Sequence, residues 1–218
     1  MSAQPADPKA NEFAAQARRG FWLKHLTRWH WISAAVSMIG MVLFSFTGIT
    51  LNHTADIDAS PSSVQKSAVL PAPLLQSLPA KPDGTKAPLP EDVRAWAAEK
   101  IGTRLPASAD AEWSEEEIYL PLPRPGGDAW LSIDRLSGDV SYERTDRGWI
   151  AWANDLHKGR NTGKAWAWFI DIFAVAALLF SITGLVLLQM HARRRPSTWP
   201  LVGFGLLVPM LIIILFIH

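Results

Sequence analysis

The stretch WISAAVSMIGMVLFSFTGITL, residues 31–51, decides the fold because it contains no charged side chain. Two further apolar runs, Ala165–Met190 and Trp199–Ile217, follow it along the chain. A helix needs about 20 mainly apolar residues to cross the roughly 30 Å of hydrocarbon in a bilayer. The sequence therefore predicts three transmembrane helices, with an extramembrane domain between the first and the second.

Basic residues near these runs predict the orientation. They concentrate before the first helix and in the short loop between the second and third, at Arg18, Arg19, Lys24, Arg28 and Arg193–Arg195. Basic residues in short loops favour the cytoplasm, whereas a long loop is translocated largely regardless of its charge. We expect a cytoplasmic N-terminus, with the extramembrane domain and the C-terminus on the opposite, periplasmic side.

The composition excludes several classes of function. The chain has no cysteine, so disulfides, iron–sulfur clusters and covalently attached c-type haem are excluded. The formal net charge is +1, and no basic patch is evident in the sequence of the outer domain. We therefore predict no nucleic-acid partner.

The segment between the first two spans divides into a linker and a small domain. Seven prolines and scattered serines within residues 56–90 predict an extended linker. Acidic residues open a helix over Pro90–Lys100, and Glu112–Leu122, Trp130–Asp134 and Val140–Arg144 are typical of strands joined by turns. The predicted domain is one helix on a three-stranded antiparallel sheet, which makes the chain a membrane protein of the α+β class.

The remaining segments complete the predicted boundaries. Residues 148–157 place apolar side chains at helical spacing, which predicts a short helix on the outer membrane surface. The predicted segments are a frayed cytoplasmic tail (1–20), transmembrane helix 1 (21–53), a Pro-rich periplasmic linker (54–89), the folded domain (90–146), an interfacial segment (147–163), transmembrane helix 2 (164–191), a cytoplasmic loop (192–198) and transmembrane helix 3 (199–218).

Four histidines, His30, His53, His157 and His191, stand at or beside the ends of the first two spans. Ionisable side chains at membrane depth are costly and mark candidate functional sites, and paired imidazoles commonly hold a low-spin haem. We predict that His30 and His191 ligate haem iron at the inner face, and His53 and His157 at the outer face. About 23 residues, or roughly 35 Å of helix, separate His30 from His53, so one haem cannot use both pairs. The predicted cofactor is haem b, with one or two per chain.

Further residues are candidates around these pairs. His25 is an alternative inner ligand. Arg28 and Arg160 are candidates to pair with haem propionates, and Asp171 is a candidate to orient an outer histidine through its second ring nitrogen. The alternative for the histidines and arginines is an ordinary interfacial role, and Asp171 also suits the N-terminal turns of its helix.

A short motif occurs twice. Phe44-Ser45-Phe46-Thr47-Gly48-Ile49 recurs as Phe180-Ser181-Ile182-Thr183-Gly184-Leu185, and each copy runs on to a histidine. Because the first helix is predicted to run outward and the second inward, the copies form an inverted-topology repeat. Small residues at helical spacing on both helices either form a packing seam or leave room for a flat cofactor.

Two groups of residues resemble a known family. Arg28-Trp29-His30-Trp31 with Thr47-Gly48 and Asn52-His53, together with Ser181-Ile182-Thr183-Gly184, resemble the PepSY-associated transmembrane helix proteins of bacterial inner membranes. Trp130–Asp134 and the turn before Val140 are similar to the PepSY strand pair. The resemblance covers roughly residues 21–195. It implies a PepSY-like periplasmic domain and a multi-pass protein of the bacterial inner membrane.

The resemblance also implies haem-dependent electron transfer. Larger members are implicated in reducing periplasmic ferric chelates through membrane haem, and some relatives act with proteins that carry covalent flavin. Asp134-x-x-Ser137-Gly138-Asp139-Val140 lacks the alanine-threonine pair of a flavin-attachment site, so no covalent FMN is predicted.

We expect a b-type haem protein that passes electrons from the cytoplasmic side or the quinol pool to a periplasmic ferric chelate or flavoprotein, as a component of a transmembrane reductase. Its predicted surroundings are the lipid bilayer and a periplasmic redox partner, and a second copy of the chain is a further candidate partner. The alternative is a membrane-anchored PepSY module with no redox role that binds or inhibits a partner or assists metal uptake.

Overall fold

The computed structural model describes residues 8–57 and 61–217. The elements are helix α1 (Pro8–Asn52), strand β1 (Ser62–Val69), helix α2 (Ala72–Gln76), strand β2 (Thr85–Pro88), helix α3 (Glu91–Lys100), strands β3 (Asp110–Trp113), β4 (Glu117–Pro121), β5 (Gly127–Asp134) and β6 (Asp139–Asp146), helices α4 (Gly148–Lys158) and α5 (Gly163–His191), a 3-10 turn (Ala192–Arg194) and helix α6 (Thr198–Phe216). They form two compact units, one within Met1–Leu43 and Phe169–His218 and the other within Phe44–Trp168.

Three helices in the described part of the chain are long and apolar enough to cross a membrane, as the apolar runs predicted. They are Glu12–Asn52, Gly163–Arg194 and Thr198–Phe216. Most of their large apolar side chains are exposed. Apolar surface of this extent is characteristic of a membrane contact, because in water it would favour aggregation. The chain is therefore a membrane protein.

The N-terminal segment differs from the prediction of a frayed tail over residues 1–20. Helix α1 begins at Pro8, where a proline is well tolerated because the first helical N–H has no partner within the helix. The following residues include several alanines and long charged side chains, which favour helix without any apolar periodicity. Residues 1–7 and the C-terminal His218 lie outside the described residues.

In the first unit, small residues allow α1 and α5 to approach closely. Ser37 is fully buried and its hydroxyl donates to the Ser33 carbonyl at 2.7 Å. Gly40 lies so near Phe173 that a Cβ would overlap the phenylalanine ring. This part of the predicted small-residue stripe is therefore a helix-packing seam.

The second unit contains a six-stranded antiparallel sheet in the order β1-β6-β5-β4-β3-β2. Buried residues alternate along the central strands, as expected when one face of a sheet covers a core. Helix α3 packs on that face with Val93 and Ala97. The largest fully buried side chains of this core are Trp113, Leu70, Ile101, Ile118, Leu120, Leu131 and Ile133.

The prediction of three strands is therefore wrong in number, although the antiparallel arrangement and the α3 helix are confirmed. The predicted strand Glu112–Leu122 is two strands, because a tight turn pairs the Ser114 N–H with the Glu117 carbonyl at 2.9 Å. Strands β1 and β2 lie at the two edges of the sheet and fall in the segment predicted as a linker. The structure thus corrects residues 62–89 of the predicted Pro-rich linker (54–89) to part of the folded domain.

The positions of the prolines explain this error. Pro71 precedes α2, Pro90 precedes α3, and Pro88 ends the edge strand β2. Proline is compatible with helix starts and with edge strands, where no ladder hydrogen bond is lost. Strand β1 exposes almost every residue, so its sequence lacks the alternation by which a half-buried strand is recognised.

Helix α4 confirms the predicted helix at 148–157, and it also attaches to the sheet domain. The buried Asp155 carboxylate accepts a hydrogen bond from the Gly126 N–H at 2.8 Å. Gly126 has φ +71°, and a Cβ there would overlap the Trp152 backbone. Trp149 and Trp152 are exposed, and their contact with a membrane surface stays a prediction.

Candidate functional site

Within the first unit, α5 holds His30 of α1. The His30 Nδ1 lies 3.2 Å from the Phe180 carbonyl oxygen and 3.1 Å from the Thr183 hydroxyl oxygen, and its ring stacks on Phe180 with centroids 4.6 Å apart. A carbonyl oxygen only accepts hydrogen bonds, so we assign the proton to Nδ1. In the neutral ring the lone pair then lies on Nε2, which is the form that binds a metal.

Thr183 and Gly184 are the other α5 residues that lie against the His30 ring. The buried Thr183 hydroxyl donates its own proton to the Leu179 carbonyl at 2.6 Å, so its oxygen is left to accept from His30. A Cβ on Gly184 would stand 3.1 Å from the His30 Cε1 atom, closer than carbon atoms normally pack. We call Phe180, Thr183 and Gly184 the first cradle.

His191 lines the same cavity as His30. This cavity, of about 540 Å³, is also lined by Gly184, Leu187, Leu188, Arg194, Arg195 and Thr198. The His191 Nδ1 lies 2.8 Å from the Leu187 carbonyl oxygen and donates to it, so in the neutral ring the lone pair lies on Nε2. The structure thus brings the predicted inner pair to one space, together with two guanidinium groups and no carboxylate.

His157 on α4 has an equivalent setting in the second unit. Its Nδ1 lies 2.6 Å from the Thr47 hydroxyl oxygen, its ring centroid lies 4.8 Å from that of Phe44, and a Cβ on Gly48 would be 3.8 Å from its Cε1 atom. The Thr47 hydroxyl also lies 3.2 Å from the Phe44 carbonyl oxygen, and the direction of its hydrogen bond with His157 depends on the tautomer of the ring. We call Phe44, Thr47 and Gly48 the second cradle.

Each copy of the repeated motif therefore contacts one histidine, and the two sets of contacts are similar. In each copy the phenylalanine contacts an imidazole, the threonine hydroxyl is hydrogen-bonded to its Nδ1 atom, and the glycine leaves space beside its Cε1 atom. Sequence reasoning singled out the repeat but did not assign these residues as histidine partners. The matching Phe-x-x-Thr-Gly spacing of the two copies was the sequence feature that could have indicated these contacts. Nothing in the sequence shows which histidine each copy contacts.

The other predicted ligands have different surroundings. His53 is exposed, and its Nδ1 donates to the Asp56 carboxylate at 3.1 Å. His25 packs against Phe21 with centroids 4.3 Å apart, and both line a mainly apolar cavity of about 580 Å³ in the first unit. The contacts of His53 and His157 involve different partners, so the outer ligand pair stays a prediction.

The predicted charged residues are exposed. Arg160 approaches the Asp155 carboxylate at 3.8 Å. Arg28 and Asp171 make no ion pair or side-chain hydrogen bond with any residue the structure describes. The hydrogen bond that orients His157 comes from Thr47 rather than from a carboxylate. The roles predicted for Arg28, Arg160 and Asp171 stay predictions.

The donor set around His30 and His191 fits a haem. Two imidazoles can ligate a porphyrin iron, and the guanidinium groups of Arg194 and Arg195 suit the carboxylate side groups of a haem. Within residues 8–57 and 61–217, no three His, Cys, Asp or Glu side chains gather as a metal-binding cluster.

The fold and the histidine settings define a membrane protein with an α+β domain inserted between its first two long helices. The chain belongs to the PepSY_TM-like family, whose model matches residues 21–218. No curated protein and no solved structure matches the chain.

Proposed function

We propose that this chain is a b-type haem protein of the bacterial inner membrane that transfers electrons to a periplasmic acceptor. The observation that carries the proposal is that His30 and His191 line one cavity while each donates from Nδ1 to a backbone oxygen. Metal-binding histidines usually donate their second ring N–H in this way, which fixes the tautomer and the ring orientation. Bound haem would supply a one-electron iron couple.

Different residues of this cavity would contact different parts of a bound haem. His30 and His191 would ligate the iron, and the first cradle holds the His30 ring in one orientation. Arg194 and Arg195 would pair with the propionates through charge-assisted hydrogen bonds. Leu187 and Leu188 contribute apolar surface that lowers access of water.

A second haem is proposed at His157, with His53 as its partner ligand. The second cradle supports the assignment of His157, because it repeats the hydrogen bond and the aromatic contact of the first. His53 also donates from Nδ1 to an oxygen, that of Asp56. Arg160 is the candidate cation on this side.

The proposed direction of transfer follows from the charge pattern of the sequence. Arg193–Arg195 and the basic residues before Trp31 favour a cytoplasmic position for the first cavity. Electrons would then enter from a cytoplasmic or quinol donor and leave to a ferric chelate or a flavoprotein partner in the periplasm.

Absorption spectroscopy of the full chain, purified from haem-sufficient cells, tests the proposal. We expect a Soret band and sharp reduced bands typical of two-imidazole ligation in the unmodified chain. His30→Ala and His191→Ala should each remove or shift the haem signal of the first cavity. His25→Ala is the matched variant, because His25 lines a different cavity in the same unit, and it should keep that signal.

The absence of a Soret band, or a spectrum unchanged in both His30→Ala and His191→Ala, would contradict the proposal. Loss of haem in His25→Ala with an unchanged His191→Ala would contradict the ligand assignment. A haem-free chain with intact partner binding would instead support a membrane-anchored module without a redox role.

A further inference from the structure

Two adjoining cavities open beside β1 and β6 in the second unit. Their volumes are about 530 and 490 Å³, and Thr103, Tyr142 and Arg144 line both of them. Val64 and Arg144 are register partners on neighbouring strands, as are Ala129 and Arg144, so the cavities follow adjacent strands across one part of the sheet. We call the two cavities together the sheet groove.

Cationic side chains from four separate parts of the sequence meet at the sheet groove. Its lining contains Lys66, Arg104, Arg124 and Arg144, and its one carboxylate is Asp146. The lining thus has an excess of three positive charges in a chain whose formal net charge is +1. A concave surface with one predominant sign of charge concentrates ligands of the opposite sign.

The one carboxylate offsets only part of this charge, because Asp146 forms an ion pair with Arg124 and also interacts electrostatically with Arg144. Asp146 accepts the Gly148 N–H at 2.9 Å and an Arg124 N–H at 2.7 Å, and these contacts hold the pKa of Asp146 below its usual range. The guanidinium groups of Arg104 and Arg144 have neither an ion pair nor a hydrogen bond among the residues that the structure describes. The guanidinium N–H donors of Arg104 and Arg144 are therefore available to a ligand.

One buried polar atom at the sheet groove, and one hydroxyl beside it, lack hydrogen-bond partners within the described residues. The Arg124 Nη1 atom is buried without a hydrogen bond. Tyr142 is only 6 % exposed, and its hydroxyl has no described hydrogen bond. Buried polar groups in folded proteins are nearly always bonded, and leaving one unpaired is costly. The buried Arg124 donor therefore indicates a place for an acceptor oxygen, and the Tyr142 hydroxyl could bind the same group.

We propose that the sheet groove binds a small oxyanion through the guanidinium groups of Arg104, Arg124 and Arg144 and the hydroxyl of Tyr142. Carboxylate and phosphate oxygens share the required chemistry, because both accept charge-assisted hydrogen bonds from arginine. A free small molecule and the headgroup of an anionic lipid are the two sources of such a group. The site uses none of the four histidines, so it is independent of the proposed haem.

Calorimetric titration of the full chain in phosphatidylcholine nanodiscs tests this site, with citrate and inorganic phosphate as probes. Arg144→Gln should weaken the binding of the tighter probe by about tenfold, since it removes a charged hydrogen-bond donor. Lys86→Gln is the matched control, because it removes one positive charge from an exposed position on the opposite edge strand β2. It should leave the affinity nearly unchanged.

Nanodiscs that contain phosphatidylglycerol distinguish the two sources. If a lipid headgroup occupies the site, citrate affinity will fall in these discs, and Arg144→Gln will abolish the difference between the two lipid compositions. Unchanged affinity in both compositions identifies a free oxyanion. Failure of both probes to bind, or equal weakening by Arg144→Gln and Lys86→Gln, would overturn the proposal. His30→Ala should keep the site, which separates this test from that of the haem.

Discussion

Adding one methyl group at Gly184 tests how closely the first cradle fits His30. The new Cβ would stand 3.1 Å from Cε1 and 3.6 Å from Nδ1 of His30, whereas carbon atoms pack best at about 3.5–4.0 Å. The imidazole must therefore shift by a few tenths of an ångström. That shift displaces the ring from the Thr183 hydroxyl, now 3.1 Å away, and changes the direction of Nε2.

The expected magnitude combines two opposing effects. Overpacking of a fitted contact costs about 1–3 kcal/mol, while replacing a helical glycine by alanine gains roughly 0.5–1 kcal/mol. We therefore expect Gly184→Ala to lower the free energy of unfolding by about 1 kcal/mol. Gly203→Ala in α6 is the matched control, because a Cβ there meets no atom within 4 Å, and it should raise stability.

Thermal unfolding of both variants in one detergent, followed by tryptophan fluorescence, measures the difference, and the Soret band of the same samples measures the haem environment. We expect Gly184→Ala to show a lower Tm, a shifted Soret band and reduced haem content. If Gly184→Ala matches Gly203→Ala in both stability and spectrum, the first cradle does not fix His30, and the reasoning is refuted.

Three further changes test other contacts. Thr183→Val removes the hydroxyl that accepts from His30 and should lower haem retention at unchanged helix content, measured by absorbance against circular dichroism; unchanged retention would contradict the cradle. Gly126→Ala places a Cβ against the Trp152 backbone at a positive φ and should lower the Tm of the full chain by several degrees, corresponding to about 2 kcal/mol or more; an unchanged Tm would show that α4 is not fixed to the sheet there. Asp146 has a lowered pKa because the Gly148 N–H and Arg124 bind its carboxylate, so its contribution is present above the ordinary aspartate pKa of about 3.9 and is lost as the pH falls through the lower folded value. Asp146→Asn should therefore lower the free energy of unfolding at neutral pH and make that free energy fall less steeply as the pH is lowered. Denaturant titrations at several pH values would measure this, and an equally steep fall in the variant and the unmodified chain would contradict it.

Much of the helical part of the fold could be predicted from the sequence. Long apolar runs such as Trp31–Leu51 have a strong physical signature, because only a sustained lack of charge is compatible with a lipid surface. The sheet domain was predicted less well. Strands β1 and β2 are edge strands with little buried side-chain surface, so they are specified by pairing with distant strands and carry no local periodicity.

For the candidate sites as well, features local to one segment could be predicted, whereas contacts between residues distant in the sequence could not. Histidines at the ends of apolar runs were visible as candidates, and the repeated motif was visible as a repeat. The pairing of His30 with Thr183, and of His157 with Thr47, depends on which helices meet in space, so spacing along the chain did not predict it. The sheet groove was missed for the same reason, since its cations are scattered from Lys66 to Arg144.

Electron paramagnetic resonance of the oxidised full chain tests the central claim most directly, because the ferric signal reports the axial ligands. The account predicts a low-spin signal from two imidazoles that becomes high-spin or disappears in His191→Ala and persists in His25→Ala. A chain without a low-spin ferric signal, or one whose signal is unaffected by both His30→Ala and His191→Ala, would contradict it.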